Sequence, residues 1–348
     1  MSDDRDDEGT AAAPWPPLSP WHEPLVRTLL ADRARWPHAL LLAGPAGIGK
    51  RIAVQHLARA LLCERPRDGG IACGECDGCR YVAAGQHPDL RVVAPIERDD
   101  DGVEKRLDAI PVTQIRALTE FVQLTSHRQG NKVALIAPAE RMNASAANAL
   151  LKTLEEPPAN TYLLLVADQP GRLPATVVSR CRRIDVPAPA RADALAWLTA
   201  RGVRDAANAL AQAGGAPYSA LALSSLQAER RAWLAALEEP ARLSALALAS
   251  RIDLAPRDER KDRLAAAIDW MLGWTTDLAR VAAGGDARSN PDAVAALASL
   301  AKRVARVPLS RYHRSLLEHR ARVSHPLTPR LVAEALLIDY QELFDDGG

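Results

Sequence analysis

A buried strand followed by a glycine-rich loop stands in the stretch ALLLAGPAGIGK, residues 39–50. Its apolar first half is typical of a parallel strand that is covered on both faces. The second half has the spacing of a phosphate loop, in which backbone N–H groups and a lysine ammonium approach phosphate oxygens. The residues concerned are Gly44, Gly47, Gly49 and Lys50. A chance occurrence of this spacing is the alternative, but a strand before it and a helical pattern after it favour nucleotide binding.

Further short apolar runs alternate with helical patterns on the carboxyl side of this loop. They are residues 90–94, 133–137 and 162–167, and a last strand is expected at residues 182–186. Apolar runs separated by helices predict an α/β domain with a parallel sheet, at residues 21–187. The clearest helix covers about residues 143–156, where Asn143 or Ser145 is a suitable cap and Pro157 ends the pattern.

Beyond residue 187 the strand-like runs disappear and helical periods dominate. We expect a small helical unit at residues 188–227, which contains a Gly214-Gly215 break, and a larger helical domain at 228–348. The proline-rich and charged residues 1–20 have no regular period and are expected to form a flexible tail.

Bulk composition limits the classes of protein. A chain of 348 residues predicts two or three domains, and 48% hydrophobic with 25% charged residues is typical of soluble globular proteins. The acidic N-terminus is unlike a secretory signal, so we expect a cytoplasmic location. A formal net charge of +1 gives no general basic surface for nucleic acid.

The groups that ATP hydrolysis requires are missing at their expected positions. The residue after the phosphate-loop lysine should offer a hydroxyl to Mg²⁺, but it is Arg51. An apolar strand should end in metal-binding and water-orienting acids, but residues 133–136 lead into Ala137 and Pro138. Glu140 lies beyond both positions, and only a shift inward would bring it into use. The pattern predicts a nucleotide-binding fold without hydrolysis.

Four of the five cysteines lie close together in the chain: Cys63, Cys73, Cys76 and Cys79. Two overlapping C-x-x-C steps with a fourth thiol nearby are typical of a structural zinc site. A redox pair or an iron–sulfur site is the alternative. Cys181 stands apart and is expected to pack as a small apolar residue.

Several motifs together resemble the bacterial DNA polymerase III clamp-loader subunits of the AAA+ family. They are NALLKTLEEPP at residues 148–158, Leu173-Pro174 and Ser179-Arg180-Cys181, with IPVTQIR at 110–116 and His87-Pro88-Asp89 in support. The resemblance covers residues 21–225 well, and the C-terminal third only through its helical character. It implies a RecA-like AAA+ domain with a zinc knuckle, a small helical lid and a helical collar.

Within this family the chain is most similar to the non-hydrolysing delta-prime type. The ATPase type, tau or gamma, should also carry an arginine in the lid, where this chain has Tyr218. The resemblance implies that the arginine of Ser-Arg-Cys, Arg180, acts in trans on ATP bound by a neighbouring subunit. It also implies a part in the DNA polymerase III holoenzyme, a nucleotidyltransferase complex. The implied partners are the tau or gamma and delta subunits, the sliding clamp and primed DNA.

Three questions stay open at this point. The phosphate loop is intact, so ATP or ADP binding without turnover is expected. An active ATPase of the same fold is one competing interpretation, and a stand-alone nucleic-acid-binding protein that uses the zinc knuckle is another. Arg180 has an alternative role as well, an ordinary ion pair with a surface carboxylate.

Overall fold

The computed structural model describes residues 16–98, 104–128, 130–257, 259–323 and 328–344. The chain separates into two compact units, Met1–Pro189 and Ala190–Gly348. Residues 1–15 of the predicted tail lie outside the described residues. Among the described residues, no helix combines the length and the apolar character that crossing a membrane requires.

The first unit is built on a five-stranded sheet. In chain order, the strands of this unit are β1 (Ala39–Ala43), β2 (Leu90–Val93), β3 (Ile96–Arg98), β4 (Glu104–Arg106), β5 (Lys132–Ile136), β6 (Thr161–Ala167) and β7 (Arg182–Asp185). The large sheet has the order β2-β5-β6-β1-β7, and all of its pairs are parallel. All the apolar runs that the sequence predicts as strands are confirmed.

The helices of the first unit are α1 (Glu23–Ala31), α2 (Lys50–Leu61), α3 (Asp77–Ala83), α4 (Val112–Gln123), α5 (Ala144–Glu155) and α6 (Ala175–Val178). The predicted helix at 143–156 is confirmed as α5, and the Asn143 side chain caps it by accepting a hydrogen bond from the backbone N–H of Ala146. Helices α4 and α5 pack on one face of the sheet through fully buried side chains such as Ile115 and Leu150.

A two-stranded antiparallel ribbon, β3 with β4, was not predicted from the sequence. Each of its strands has three residues, which is too short for a hydrophobic period to be recognised.

The second unit is helical throughout its described residues. Its helices are α7 (Arg191–Ala200), α8 (Ala206–Gln212), α9 (Pro217–Ser224), α10 (Gln227–Glu238), α11 (Ala245–Ala249), α12 (Arg260–Ala282), α13 (Val294–Ala301), α14 (Arg306–Ala321) and α15 (Pro329–Glu342). Helices α10 to α15 share one apolar core, in which Trp233 and Trp274 are fully buried. Helices α7, α8 and α9 pack against one another.

Candidate functional site

The phosphate loop, residues 44–50, connects the end of β1 to the start of α2. Gly49 has a φ of 95°, a conformation that favours glycine, and it precedes the first residue of the helix. A side chain at Gly44 would place its Cβ 2.2 Å from the carbonyl oxygen of Val186. Strand β1 lies between β6 and β7. Because the loop follows β1 directly, it emerges at the carboxyl edge of the sheet, where parallel α/β folds bind ligands.

Lys50 is buried, with 2% of its side chain exposed, and its ammonium is saturated by oxygens of the same chain. The Nζ atom donates to the carbonyl oxygens of Gly44 at 2.7 Å and Pro45 at 2.5 Å, and to Oδ1 of Asp168 at 2.6 Å. An ammonium has three N–H donors. All three therefore have acceptors within the protein, and a phosphate reaches Lys50 only by displacing one of them.

Asp168 is a site residue that the sequence analysis missed. It follows β6 directly, and β6 is the neighbour of β1 in the sheet, so the carboxylate reaches the phosphate loop across the sheet edge. The available signal was its position as the first acidic residue after a fully apolar run. The acid at this site comes from β6 and not from β5, where the hydrolytic acids were sought.

The carboxylate of Glu140 is bound to the turn that carries Asp168, and its Oε2 is buried without a hydrogen-bond partner among the described residues. Its Oε1 accepts hydrogen bonds from the backbone N–H groups of Asp168, at 2.9 Å, and Gln169, at 3.1 Å. Glu140 thus fixes the turn that carries Asp168. At the end of β5, Ala137 is buried, and neither it nor Pro138 offers a side-chain ligand.

Trp21 and His22 lie against the phosphate loop from the N-terminal side. The indole N–H of Trp21 donates to the carbonyl oxygen of Ile48 at 3.0 Å. His22 is buried, and neither ring nitrogen has a hydrogen-bond partner among the described residues. Burial, with a smaller effect of the Lys50 charge, lowers the pKa of His22 to about 4. The imidazole is therefore neutral near pH 7.

Arg51 and Tyr218 occupy the positions where an active ATPase of this pattern should have a magnesium-binding hydroxyl and a lid arginine. Arg51 is exposed in the first turn of α2. Tyr218, in the second unit, packs its ring on Trp197 with the centroids 4.6 Å apart. Neither residue offers the group that the hydrolytic pattern requires at its position.

The four clustered cysteines meet at one point between α2 and α3. Their sulfur atoms all lie within 4.8 Å of one another, with Cys63 and Cys76 at 3.8 Å and Cys73 and Cys79 at 4.0 Å. Tetrahedral zinc with bonds of about 2.3 Å would separate its sulfur ligands by about 3.8 Å. The arrangement fits a metal ion of this size, so these four residues could hold one.

Backbone N–H groups converge on this sulfur cluster. The sulfur of Cys73 accepts from the backbone of Glu75 and Cys76, and this lowers the pKa of Cys73 to about 6. Burial raises the pKa of Cys79 to about 12 in the absence of a metal. A bound cation would offset that cost, because metals bind the thiolate form.

Arg180 lies at the surface between α6 and β7. Its Nη2 donates to Oε1 of Glu155 at 2.5 Å and its Nη1 to the carbonyl oxygen of Thr176 at 2.9 Å. The alternative raised from the sequence, an ion pair with a surface carboxylate, is thus present in this chain. The next residue, Cys181, is partly buried against the apolar core, as predicted, and burial raises its pKa to about 11.

A phosphate loop at the carboxyl edge of a parallel sheet, with β1 between β6 and β7, defines a RecA-like α/β phosphate-loop protein. The family model described as "DNA polymerase III, delta subunit" matches residues 23–190.

The chain is similar to two delta′ subunits and, over a shorter stretch, to a tau subunit. It is 41% identical to DNA polymerase III subunit delta′ of Pseudomonas aeruginosa, over 76% of this chain and 77% of that protein. Identity to the delta′ subunit of Haemophilus influenzae is 34%, over 77% of each chain. Identity to subunit tau of Salmonella typhimurium is 39%, but over only 45% of this chain and 23% of that protein.

The chain belongs to the DNA polymerase III subunit delta-prime family. The match to delta′ proteins extends past the first unit into the helical second unit, because 269 aligned residues exceed the length of Met1–Pro189.

Proposed function

We propose that this chain is the non-hydrolysing delta-prime subunit of a cytoplasmic clamp loader, which helps to place a sliding clamp on primed DNA. Its partners would be the ATPase subunits, tau or gamma, and the delta subunit. In this proposal the small lid is residues 188–227, which begin two residues before the helical unit, and the collar is residues 228–348. Membership of the delta-prime family carries the assignment.

The lack of intrinsic hydrolysis rests on the phosphate-loop site. Lys50 is saturated, the residue after it is Arg51, and Glu140 is bound to backbone N–H groups. The test is ATP turnover by the purified chain. We expect none above background. Turnover that is abolished by Lys50→Ala would instead support an active tau-like ATPase, the competing function that the partial match to tau raises.

Arg180 is proposed to act in trans on ATP held by the neighbouring ATPase subunit. A guanidinium near a transferred phosphoryl group stabilises the charge that develops there. The test is rapid-quench ATP hydrolysis by the reconstituted loader. Arg180→Ala should lower the rate constant of ATP hydrolysis at the adjoining site by about a thousandfold. The fast phase that this site contributes should therefore disappear.

Arg172→Ala removes another exposed arginine of the same segment and is the control for Arg180→Ala. This control should leave the fast phase intact. An intact fast phase in Arg180→Ala would refute the role in trans.

ATP or ADP is proposed to bind the phosphate loop only when Asp168 releases Lys50. The loop residues concerned are Gly44, Gly47, Gly49 and Lys50. Equilibrium dialysis of the isolated chain should therefore show weak uptake that increases when Asp168 is replaced. Uptake that is unchanged by that replacement would contradict the competition.

The cysteine cluster is proposed to hold structural zinc through Cys63, Cys73, Cys76 and Cys79. The support is the close approach of the four sulfurs and the N–H groups directed at them. Metal analysis of the purified chain should find one zinc per chain, and Cys79→Ser should lose it. Iron, or no metal in protein purified without chelator, would refute this assignment.

A further inference from the structure

The guanidinium of Arg180 is held by groups on two helices that pack into the core. Glu155 is the last residue of α5, a helix whose Leu150 and Leu154 are almost fully buried. Thr176 belongs to α6, in which Val177 is fully buried. The two hydrogen bonds therefore fix the end of a long, otherwise freely rotating side chain against the folded core.

Glu155 is poorly placed to stabilise its own helix. A carboxylate in the last turn lies beside the partial negative charge of the helix C-terminus, which is unfavourable. Its partner across the surface is Arg180, with 50% of the Glu155 side chain and 35% of the Arg180 side chain exposed. The helix end thus carries a charge whose favourable partner is this arginine.

The two bonds leave most of the guanidinium available. Arginine has five N–H donors, and Arg180 uses one on Nη1 and one on Nη2 for the bonds described. The other three donors take no part in these two hydrogen bonds, and the guanidinium is partly exposed to solvent. An anion that approaches from outside can bind them while Glu155 and Thr176 keep their hold.

We propose that Glu155 is a positioning residue, which orients Arg180 toward the phosphoryl group of ATP on a neighbouring subunit. This inference rests on the proposed action of Arg180 in trans. Because an exposed ion pair contributes little, loss of Glu155 should slow the adjoining site by about two- to fivefold, far less than loss of Arg180.

The experiment uses the reconstituted loader and rapid-quench ATP hydrolysis. Glu155→Ala should lower the rate constant of the fast phase without changing the ATP concentration for half-maximal rate. Glu155→Gln keeps an acceptor oxygen and should restore most of that rate. Glu156→Ala removes the same charge one residue away and is the matched control, for which we expect the rate of the unmodified loader.

A double-variant cycle separates positioning from a general structural effect. Glu155→Ala added to Arg180→Ala should cause no further loss, because Glu155 acts only through Arg180. An additive loss would overturn the proposal, as would a faster rate in Glu155→Ala, which would mark Glu155 as a restraint.

If Arg180→Ala slows hydrolysis and Glu155→Ala does not, positioning is wrong while the action in trans stands. If Arg180→Ala has no effect, the action in trans itself fails.

Discussion

Lys50, in the phosphate loop, and Arg180, the cation proposed to act in trans, have opposite surroundings. Lys50 has 2% of its side chain exposed and uses three donors on three oxygens of its own chain. Arg180 has 35% exposed and uses two of its five donors in its contacts with Glu155 and Thr176. The difference is that the Lys50 ammonium is fully engaged within its own chain, whereas the Arg180 guanidinium is partly exposed at the surface.

The largest expected contrast is in stability. Lys50→Ala leaves Asp168 and two carbonyl oxygens without their donor, so we expect a loss of about 3 kcal/mol in the free energy of unfolding. Arg180→Ala removes an exposed ion pair and should cost less than about 1 kcal/mol. Urea unfolding of the isolated chain measures both. Equal losses in the free energy of unfolding would show that the buried Lys50 and the exposed Arg180 do not differ in how much they stabilise the fold.

His22 makes the phosphate-loop site sensitive to acid. Its pKa is lowered from 6.5 to about 4 in the folded chain, so the unfolded chain binds an extra proton between these values. Stability contributed by the neutral imidazole is complete above pH 6.5 and is lost as pH falls toward 4. We expect this residue to account for about 2 kcal/mol of the acid destabilisation.

The check on His22 is urea unfolding at pH 7 and pH 4.5 for the unmodified chain and for His22→Leu. The variant replaces the imidazole with an apolar side chain that cannot bind a proton, so it should lose less stability over this range. The same loss in both proteins would show that His22 is not the titrating group.

Asp168→Asn is expected to open the phosphate loop to nucleotide. The substitution removes a negative charge next to the phosphate position and weakens the hold on Lys50, so ADP affinity should rise about tenfold, or about 1.4 kcal/mol. Calorimetric titration of the isolated chain with ADP measures the change. Glu120→Gln, exposed on α4, is a control in which affinity should stay the same.

Much of the fold was predictable because its signals are local. The five segments predicted as strands became the five strands of the sheet, and Asn143 and Pro157 bound α5 as expected. The short ribbon β3–β4 gave no such signal. The Cys63 cluster was predictable because its four thiols lie within 17 residues of sequence and their spacing is distinctive.

The contacts that decide how each cation behaves were not predictable from local patterns. Asp168 is 118 residues from Lys50, and Glu155 is 25 residues from Arg180. Each pair forms because the sheet order or the packing of α5 beside α6 brings the two side chains together. A one-dimensional pattern identifies the cations but not their partners.

The most direct test of this account compares the two cations in one reconstituted loader. Lys50→Met retains an apolar stem in the buried position, whereas Arg180→Ala removes the partly exposed cation. We predict that the fast phase of ATP hydrolysis at the adjoining site is retained in Lys50→Met and lost in Arg180→Ala. Loss in Lys50→Met with retention in Arg180→Ala would contradict the account, because hydrolysis would then depend on this chain's own phosphate loop.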